Sequence, residues 1–186
     1  VITSVSATGC AILSQNFLEL TIINLEGSTL IISDYNGFAV SSPATLDGSA
    51  TVSVSGGSGT YQYLWSEAPS MNQASVTGLP AGKQTITVTD SISGCIYSDT
   101  LILSAPSTLD ITLSPSITYQ GFDLSCQGSE DGALSSQVTG GVAPYSFSWV
   151  HDASIDSSEA TTLSAGTYVV TVTDANGAEA LDSILL

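Results

Sequence analysis

The sequence predicts an all-β protein built as two tandem β-sandwich domains, and three observations lead to this prediction. The stretch Gly56–Trp65 reads GGSGTYQYLW, and it returns 84 positions later as GGVAPYSFSW at Gly140–Trp149. Apolar and polar residues alternate along most segments, which is the period of a strand with one buried face. Gly-Gly, Asp-Gly and Asn-Gly pairs separate these segments, as turns separate strands.

The repeat keeps one spacing from Tyr35 to Asp90 without an insertion, which predicts a single fold used twice. Beyond Asp90 the second copy lacks one residue, so that Gly94 corresponds to Gly177. Other corresponding pairs are Asp47 and Asp131, Tyr61 and Tyr145, Trp65 and Trp149, and Asp90 and Asp174.

The repeat also predicts the domain boundaries. We place the first sandwich at 28–106 and the second at 107–186, because proline cannot continue a sheet ladder and Pro106 lies at the junction. Residues 1–27 do not begin a copy. We expect them to be trailing strands of a preceding repeat or extra strands of this one, as in a fragment of a longer array.

Individual strands follow from the alternation within each copy. Ala50–Val54 alternates small apolar residues with hydroxyl residues, and Thr85–Thr89 alternates threonine with Ile and Val. Tyr61–Trp65 places three aromatic residues on one face, and Tyr145–Trp149 does the same. Short strands at roughly 8–12-residue spacing, with a tryptophan on a central strand, predict a sandwich of about seven strands.

The charge of the chain limits its partners. It carries 17 acidic residues against Lys83 as its one basic residue, for a net charge of −16. Binding to phosphate needs Lys or Arg, so nucleic acid and anionic membrane are excluded as partners. Mean hydropathy is +0.33. No apolar run reaches the roughly 18 residues of a membrane helix, so we expect no membrane insertion of this segment.

The motif DG…V-x-GG-x-x-x-Y-x-Y-x-W…L-x-AG…V-x-D-x-x-G resembles the SprB-type repeat of cell-surface adhesins. It is also similar to PKD-like and immunoglobulin-like β-sandwiches. The resemblance covers about residues 30–186 and implies tandem immunoglobulin-like (PKD-like) β-sandwich repeats. In the first copy it rests on Asp47-Gly48, Gly56-Gly57, Tyr61, Trp65, Ala81-Gly82 and Asp90; in the second it rests on Asp131-Gly132, Gly140-Gly141, Tyr145, Trp149, Ala165-Gly166 and Asp174.

The same resemblance implies a function. It implies that the chain is a structural segment of a long secreted adhesin that is exported by type IX secretion. Such an adhesin acts in gliding motility and surface attachment, and it lies at the cell surface in association with the outer membrane. The partners it implies are neighbouring repeats of the same chain and a surface polysaccharide or substratum. An alternative from another class is a carbohydrate-binding β-sandwich module that acts on polysaccharide.

Three cysteines leave the disulfide pattern open. The family repeat often has one cysteine before the DG turn and one after the V-x-D-x-x-G turn, but each copy here keeps only one of them. A bond within a copy is therefore excluded for Cys95 and Cys126. The remaining alternatives are a bond between Cys95 and Cys126 across the junction, or free thiols.

Four aspartates in turns are candidate metal ligands: Asp90, Asp174, Asp47 and Asp131. One interpretation is that each carboxylate accepts hydrogen bonds from turn amides. The other is a calcium site, although Ca²⁺ takes six to eight oxygens and no D-x-D-x-D-G loop is present. Apart from this calcium, we predict no cofactor.

The aromatic residues of the motif are Tyr61, Trp65, Tyr145 and Trp149. Their alternation with polar residues favours a core strand over a sugar-stacking platform. The chain has one histidine, one lysine and no arginine. Neither a nucleophile elbow nor a phosphate loop is present, so we predict that the protein is not an enzyme.

Overall fold

The computed structural model describes residues 3–6, 10–13 and 20–186, and the regular elements of these residues are β-strands. The chain divides into two compact units, Val1–Ala105 and Pro106–Leu186. Within the described ranges there is no helix with the length and hydrophobicity needed to cross a bilayer.

Unit 1 contains two antiparallel sheets that face each other and one separate hairpin. One sheet has the order β1-β4-β5-β7, the second has the order β6-β8-β9, and β2 pairs with β3. The strands are β1 (Thr3–Ser6), β2 (Cys10–Leu13), β3 (Leu20–Ile23), β4 (Leu25–Ile31), β5 (Gly48–Gly56), β6 (Tyr61–Trp65), β7 (Ser75–Leu79), β8 (Gly82–Asp90) and β9 (Ile96–Leu103).

Unit 2 repeats this arrangement with six strands. Its sheets have the orders β10-β11-β13 and β12-β14-β15, all antiparallel. The strands are β10 (Asp110–Pro115), β11 (Gly132–Thr139), β12 (Ser146–Trp149), β13 (Glu159–Leu163), β14 (Thr167–Thr173) and β15 (Glu179–Leu185).

The strand order identifies the topology as immunoglobulin-like. In unit 1 the strands β4, β5 and β7 correspond to A, B and E, and β6, β8 and β9 correspond to C, F and G. In unit 2 the same letters fall on β10, β11, β13 and on β12, β14, β15. The predicted fold class, tandem immunoglobulin-like β-sandwiches, is confirmed.

Two details differ from the sequence-based expectation. The shared sandwich has six strands rather than about seven, because residues 66–74 and 150–158 form loops where a D strand would lie. These loops contact the core instead, since the carbonyls of Gln73 and Ser157 each accept a hydrogen bond from the indole N–H of a core tryptophan. In addition, β4 begins at Leu25, so the predicted boundary at residue 28 falls inside a strand, and β1 extends the first sheet by pairing with β4.

Each unit has its own hydrophobic core between its two sheets. Trp65 is 0% exposed at the centre of the first core, with Ile86 and Val88 of β8 beside it. Trp149 is 1% exposed in the second core, with Val170 of β14 packed in the same cluster. These are the inward residues of strands with period-two alternation, so the core follows from the pleat.

Candidate functional site

Asp90 forms a hydrogen-bonded hub at one end of unit 1. It is the last residue of β8, and its Oδ1 accepts the amide N–H groups of Ile92 at 3.0 Å and Ser93 at 2.8 Å in the turn before β9. Its Oδ2 accepts the amide of Ser58, and the Ser58 hydroxyl donates to Oδ1 at 2.9 Å. One carboxylate therefore fastens both the β5–β6 loop and the β8–β9 turn.

These donors stabilise the ionised form of Asp90. The amide of Ser93, followed by the amide of Ser58, holds the pKa of this carboxyl far below its ordinary value of 3.8. Burial acts in the opposite direction, since Asp90 has 0% exposed surface, but the hydrogen bonds outweigh it. Asp90 is thus a buried carboxylate whose charge is matched by the chain itself.

Asp174 occupies the same position in unit 2. Its oxygens accept the amides of Val142, Asn176 and Ala178, each at 2.9 Å. Val142 belongs to the loop after β11, and Asn176 and Ala178 belong to the turn before β15. The second copy therefore repeats the hub with three backbone donors.

The second glycine of the Gly-Gly pair of the motif is explained by this hub. Gly57 and Gly141 have φ of +64° and +62°, a region that side chains rarely adopt. A Cβ on Gly57 would run into the carboxylate of Asp90, and one on Gly141 would crowd that of Asp174. Glycine is required at both positions by backbone conformation and by the space that the aspartate occupies.

The tyrosine and tryptophan of the motif also bond to backbone in both copies. The hydroxyl of Tyr61 donates to the carbonyl of Gly56, and the hydroxyl of Tyr145 donates to that of Gly140 at 2.7 Å. The indole N–H groups of the two tryptophans reach their loop carbonyls at 3.0 Å. The polar atoms of the motif are thus used within the fold.

Asp47 and Asp131 lie at the opposite end of each sandwich. Asp47 accepts the amide of Ser41 at 3.1 Å and the hydroxyl of Thr45 at 3.0 Å, and Asp131 accepts the hydroxyl of Ser129 at 2.7 Å. Partial burial tends to raise the pKa of Asp47, but the bonds from Ser41 and Thr45 outweigh it and the pKa is lowered. These carboxylates organise the loop that precedes β5 or β11.

Within each unit, the structure does not bring the predicted metal ligands together. Asp47 precedes β5 and Asp90 bonds to the loop after it, so about 25 Å of strand separates them. In the described part of the chain, no three His, Cys, Asp or Glu side chains form a group that could hold a metal ion. Calcium at Asp90, Asp174, Asp47 or Asp131 stays a prediction, and thermal melts in calcium and in EDTA would test it.

Neither open alternative holds for Cys95: it is not a free thiol, and the disulfide that it forms is not with Cys126, whose thiol is free. Cys95 is 1% exposed and disulfide-bonded, whereas Cys126 is an exposed free thiol in the loop before β11. The physical reason is burial. The sulfur of Cys95 lies inside the core of unit 1, whereas the loop that carries Cys126 lies at the surface of unit 2.

We expect alkylation of the folded, unreduced protein to modify Cys126 and to leave Cys95 unmodified. Reduction under denaturing conditions should then release Cys95 for a second, mass-distinct reagent. Peptide mass spectrometry reads both labels, and a Cys126→Ser variant should take up no first label at Cys126. Labelling of Cys95 before reduction would contradict the assignment.

Two further places carry side chains that could take part in chemistry, His151 and a hollow in unit 2. His151 lies edge-on to two rings, with centroid distances of 5.7 Å to Trp149 and 4.8 Å to Tyr168. A shallow hollow of about 520 Å³ in unit 2 is lined by Asp123 and Cys126 but by no histidine or lysine. The hollow therefore carries a thiol and a carboxylate but supplies no histidine or lysine to act as a general base near neutral pH.

The hydrogen bonds of one further pair of aspartates were not predicted from the sequence. Asp99 in β9 accepts the hydroxyl of Thr29 at 2.6 Å and that of Tyr97 at 3.1 Å. Burial, followed by the charge of Asp99, raises the pKa of Tyr97 to about 12. Its counterpart Asp182 in β15 instead accepts the backbone amide of Leu113 at 2.7 Å. The signal in the sequence is an acidic residue at an inward position of a strand.

Comparison with protein families gives a match in each unit. The model described as SprB repeat matches residues 44–69 and 122–153. Each segment runs from the turn before β5 or β11 through the motif tryptophan. The resemblance to the SprB-type repeat is therefore confirmed. No curated protein sequence matches the chain.

Comparison with solved structures gives matches of low sequence identity. The C-terminal 282-residue fragment of intimin, in complex with the intimin-binding domain of its translocated receptor, is 13% identical, with 99% of this chain and 63% of that chain covered and a TM-score of 0.37. The three N-terminal domains of the outer capsid protein Hoc of bacteriophage RB49 are 20% identical, with 78% of this chain and 55% of that chain covered and a TM-score of 0.41. The four N-terminal Ig domains of Dscam1 isoform 9.44 are 14% identical, with 89% of this chain and 53% of that chain covered and a TM-score of 0.34. The chain thus spans about half to two thirds of these chains.

Proposed function

We propose that this chain, which carries the SprB repeat twice, is a structural segment of a long secreted cell-surface adhesin that serves gliding motility and surface attachment. The observation that carries the proposal is the use of the motif residues. In both copies the tryptophan, tyrosine, aspartate and glycine pair are engaged in holding one sandwich together. The repeated motif thus specifies a fold rather than a reactive centre.

A repeated fold with its own core suits a mechanical role. Each unit buries its own apolar residues, so further units can be added without changing the existing ones. Hydrogen-bonded hubs at Asp90 and Asp174 fasten the loops at the end of each sandwich. We infer that the segment is non-enzymatic and that it positions or transmits force to a binding region of the parent protein.

The proposed location is extracellular. A disulfide at Cys95 supports an oxidising compartment, because cytosolic thiols are kept reduced in most organisms. The net charge of −16 favours a soluble, self-repelling surface. Export by type IX secretion and contact with a surface polysaccharide or substratum belong to this proposal.

Burial of the tryptophans favours the structural segment over a carbohydrate-binding module. A sugar-stacking platform needs exposed aromatic faces, whereas Trp65 and Trp149 lie in the two cores with their indole N–H groups bonded to loop carbonyls. The outward residues of β6 are Gln62 and Leu64, which offer no aromatic row.

Beads coated with antibody fragments against this chain would test the proposal on living cells of its source. We expect the beads to attach to intact cells and to travel along the cell surface. Beads coated with fragments against a periplasmic protein are the control. Attachment only after permeabilisation of the outer membrane would overturn the surface location, and stationary beads on gliding cells would overturn the role in motility.

A further inference from the structure

The outer edge of β10 is one of the two outer edges of the first sheet of unit 2, the other being that of β13. In the described residues, β10 pairs with β11 on one side and with no strand on the other. Alternate residues of an edge strand direct their amides outward. The amide of Ser116 donates to the carbonyl of Ala133, so the backbone amides of the even-numbered residues point toward β11. The backbone N atoms of Ile111, Leu113 and Pro115 therefore point away from the sheet, although the side chains of Ile111 and Leu113 are buried in the core.

None of the three outward positions offers a donor to another strand. The amide of Ile111 donates to Oδ1 of Asp110 at 3.0 Å, and that of Leu113 donates to Oδ2 of Asp182 at 2.7 Å. Pro115 has no amide hydrogen. Two carboxylates and one proline therefore occupy every outward donor site along β10.

The corresponding edge in unit 1 is used for strand pairing. In β4 the backbone amides of Gly27, Thr29 and Ile31 point away from β5. These residues correspond to Ile111, Leu113 and Pro115, which lie 84 positions later. The strand β1 lies on this edge, with Thr3 opposite Thr29 and Val5 opposite Gly27. The same edge is thus paired in one copy and capped in the other.

Two hydroxyl side chains that are present in unit 1 and absent from unit 2, those of Thr29 and Tyr97, explain this difference. Asp99 and Asp182 correspond, and Oδ1 of each accepts the amide of the following residue at 2.7 Å. In unit 1, Oδ2 is occupied by the hydroxyls of Thr29 and Tyr97. In unit 2 these donors are replaced by Leu113 and Ala180, so Oδ2 accepts the edge amide instead.

We propose that Asp182, with Asp110 and Pro115, closes the edge of β10 against pairing with a β-strand of a second copy of this chain. Unpaired sheet edges are templates for association, and charged side chains and proline are known means of blocking them. A protein with repeated sandwiches presents similar edges at high local concentration. Its net charge also keeps copies apart, but salt screens this repulsion, whereas hydrogen-bonded caps persist.

Hydrogen exchange would test the cap directly. In an Asp182→Ala variant we expect the amide of Leu113 to exchange about tenfold faster or more, because a hydrogen bond to a charged acceptor is lost. The amides of Thr112 and Ser114, which face β11, should keep their protection. Should the alanine variant fail to fold, Asp182→Ser replaces it. Unchanged exchange at Leu113 would overturn the proposal.

Self-association would test the consequence. The double variant Asp182→Ala with Pro115→Ile frees the edge amide of Leu113 and supplies an amide at position 115, where it places the residue that unit 1 has at position 31. At about 0.5 M salt, where charge repulsion is screened, we expect sedimentation velocity to show a concentration-dependent dimer. The matched control, Asp156→Ala, removes an exposed carboxylate of unit 2 far from this edge in sequence and should stay monomeric like the unmodified chain. A folded, monomeric double variant would overturn the proposal.

Discussion

Replacing Trp65 by alanine is expected to unfold unit 1 while unit 2 remains folded. The side chain is fully buried, and removal of a buried tryptophan costs about 3–5 kcal/mol, which is a large part of the stability of a small domain. The indole also holds the carbonyl of Gln73, so that the loop before β7 loses its anchor.

The two tryptophans allow this experiment to be read unit by unit. The chain has two of them, one in each core, so Trp149 is the remaining reporter in the Trp65→Ala variant. Circular dichroism should show an early transition that the fluorescence of Trp149 does not follow. Trp65→Phe, which retains most of the volume, is the control. A Trp65→Ala protein that melts like the unmodified chain would contradict the core assignment.

Replacing Asp90 by asparagine is expected to lower the melting temperature of unit 1 by more than roughly 5 °C near neutral pH. The change keeps the shape but places an NH₂ group among amide donors that now point at a carboxylate. Asp174→Asn should destabilise unit 2 for the same reason, since Asp174 accepts three backbone amides.

The dependence on pH separates the charge of Asp90 from its shape. The folded-state pKa of Asp90 is depressed, so its contribution is fully present above the unfolded value of about 3.9 and is lost as pH falls below it. The unmodified chain should therefore lose stability below about pH 4 more steeply than Asp90→Asn. Melting curves between about pH 2 and pH 7 measure both slopes. Equal slopes would show that the ionised form of Asp90 does not stabilise the fold.

Local pattern was sufficient to predict an all-β protein of two sandwich domains, and the family resemblance added that they are immunoglobulin-like. Side chains of a strand alternate between two faces, so apolar residues at every second position identify both the strand and its buried face. Glycine pairs identify turns because their backbone conformations exclude most side chains. The repeat at 84 positions then transferred every local inference from one copy to the other. The alternation and the turns depend only on neighbours along the chain.

Tertiary structure alone decided which groups meet across the sandwich. Thr29 and Asp99 are 70 positions apart, and Leu113 and Asp182 are 69 apart, so no local pattern links them. The same holds for the disulfide of Cys95, because a disulfide forms only where the fold brings a second sulfur to it. A repeat predicts equal backbones in its two copies. Whether an aspartate binds a hydroxyl or caps an edge amide depends on the side chains that the opposite sheet presents to it.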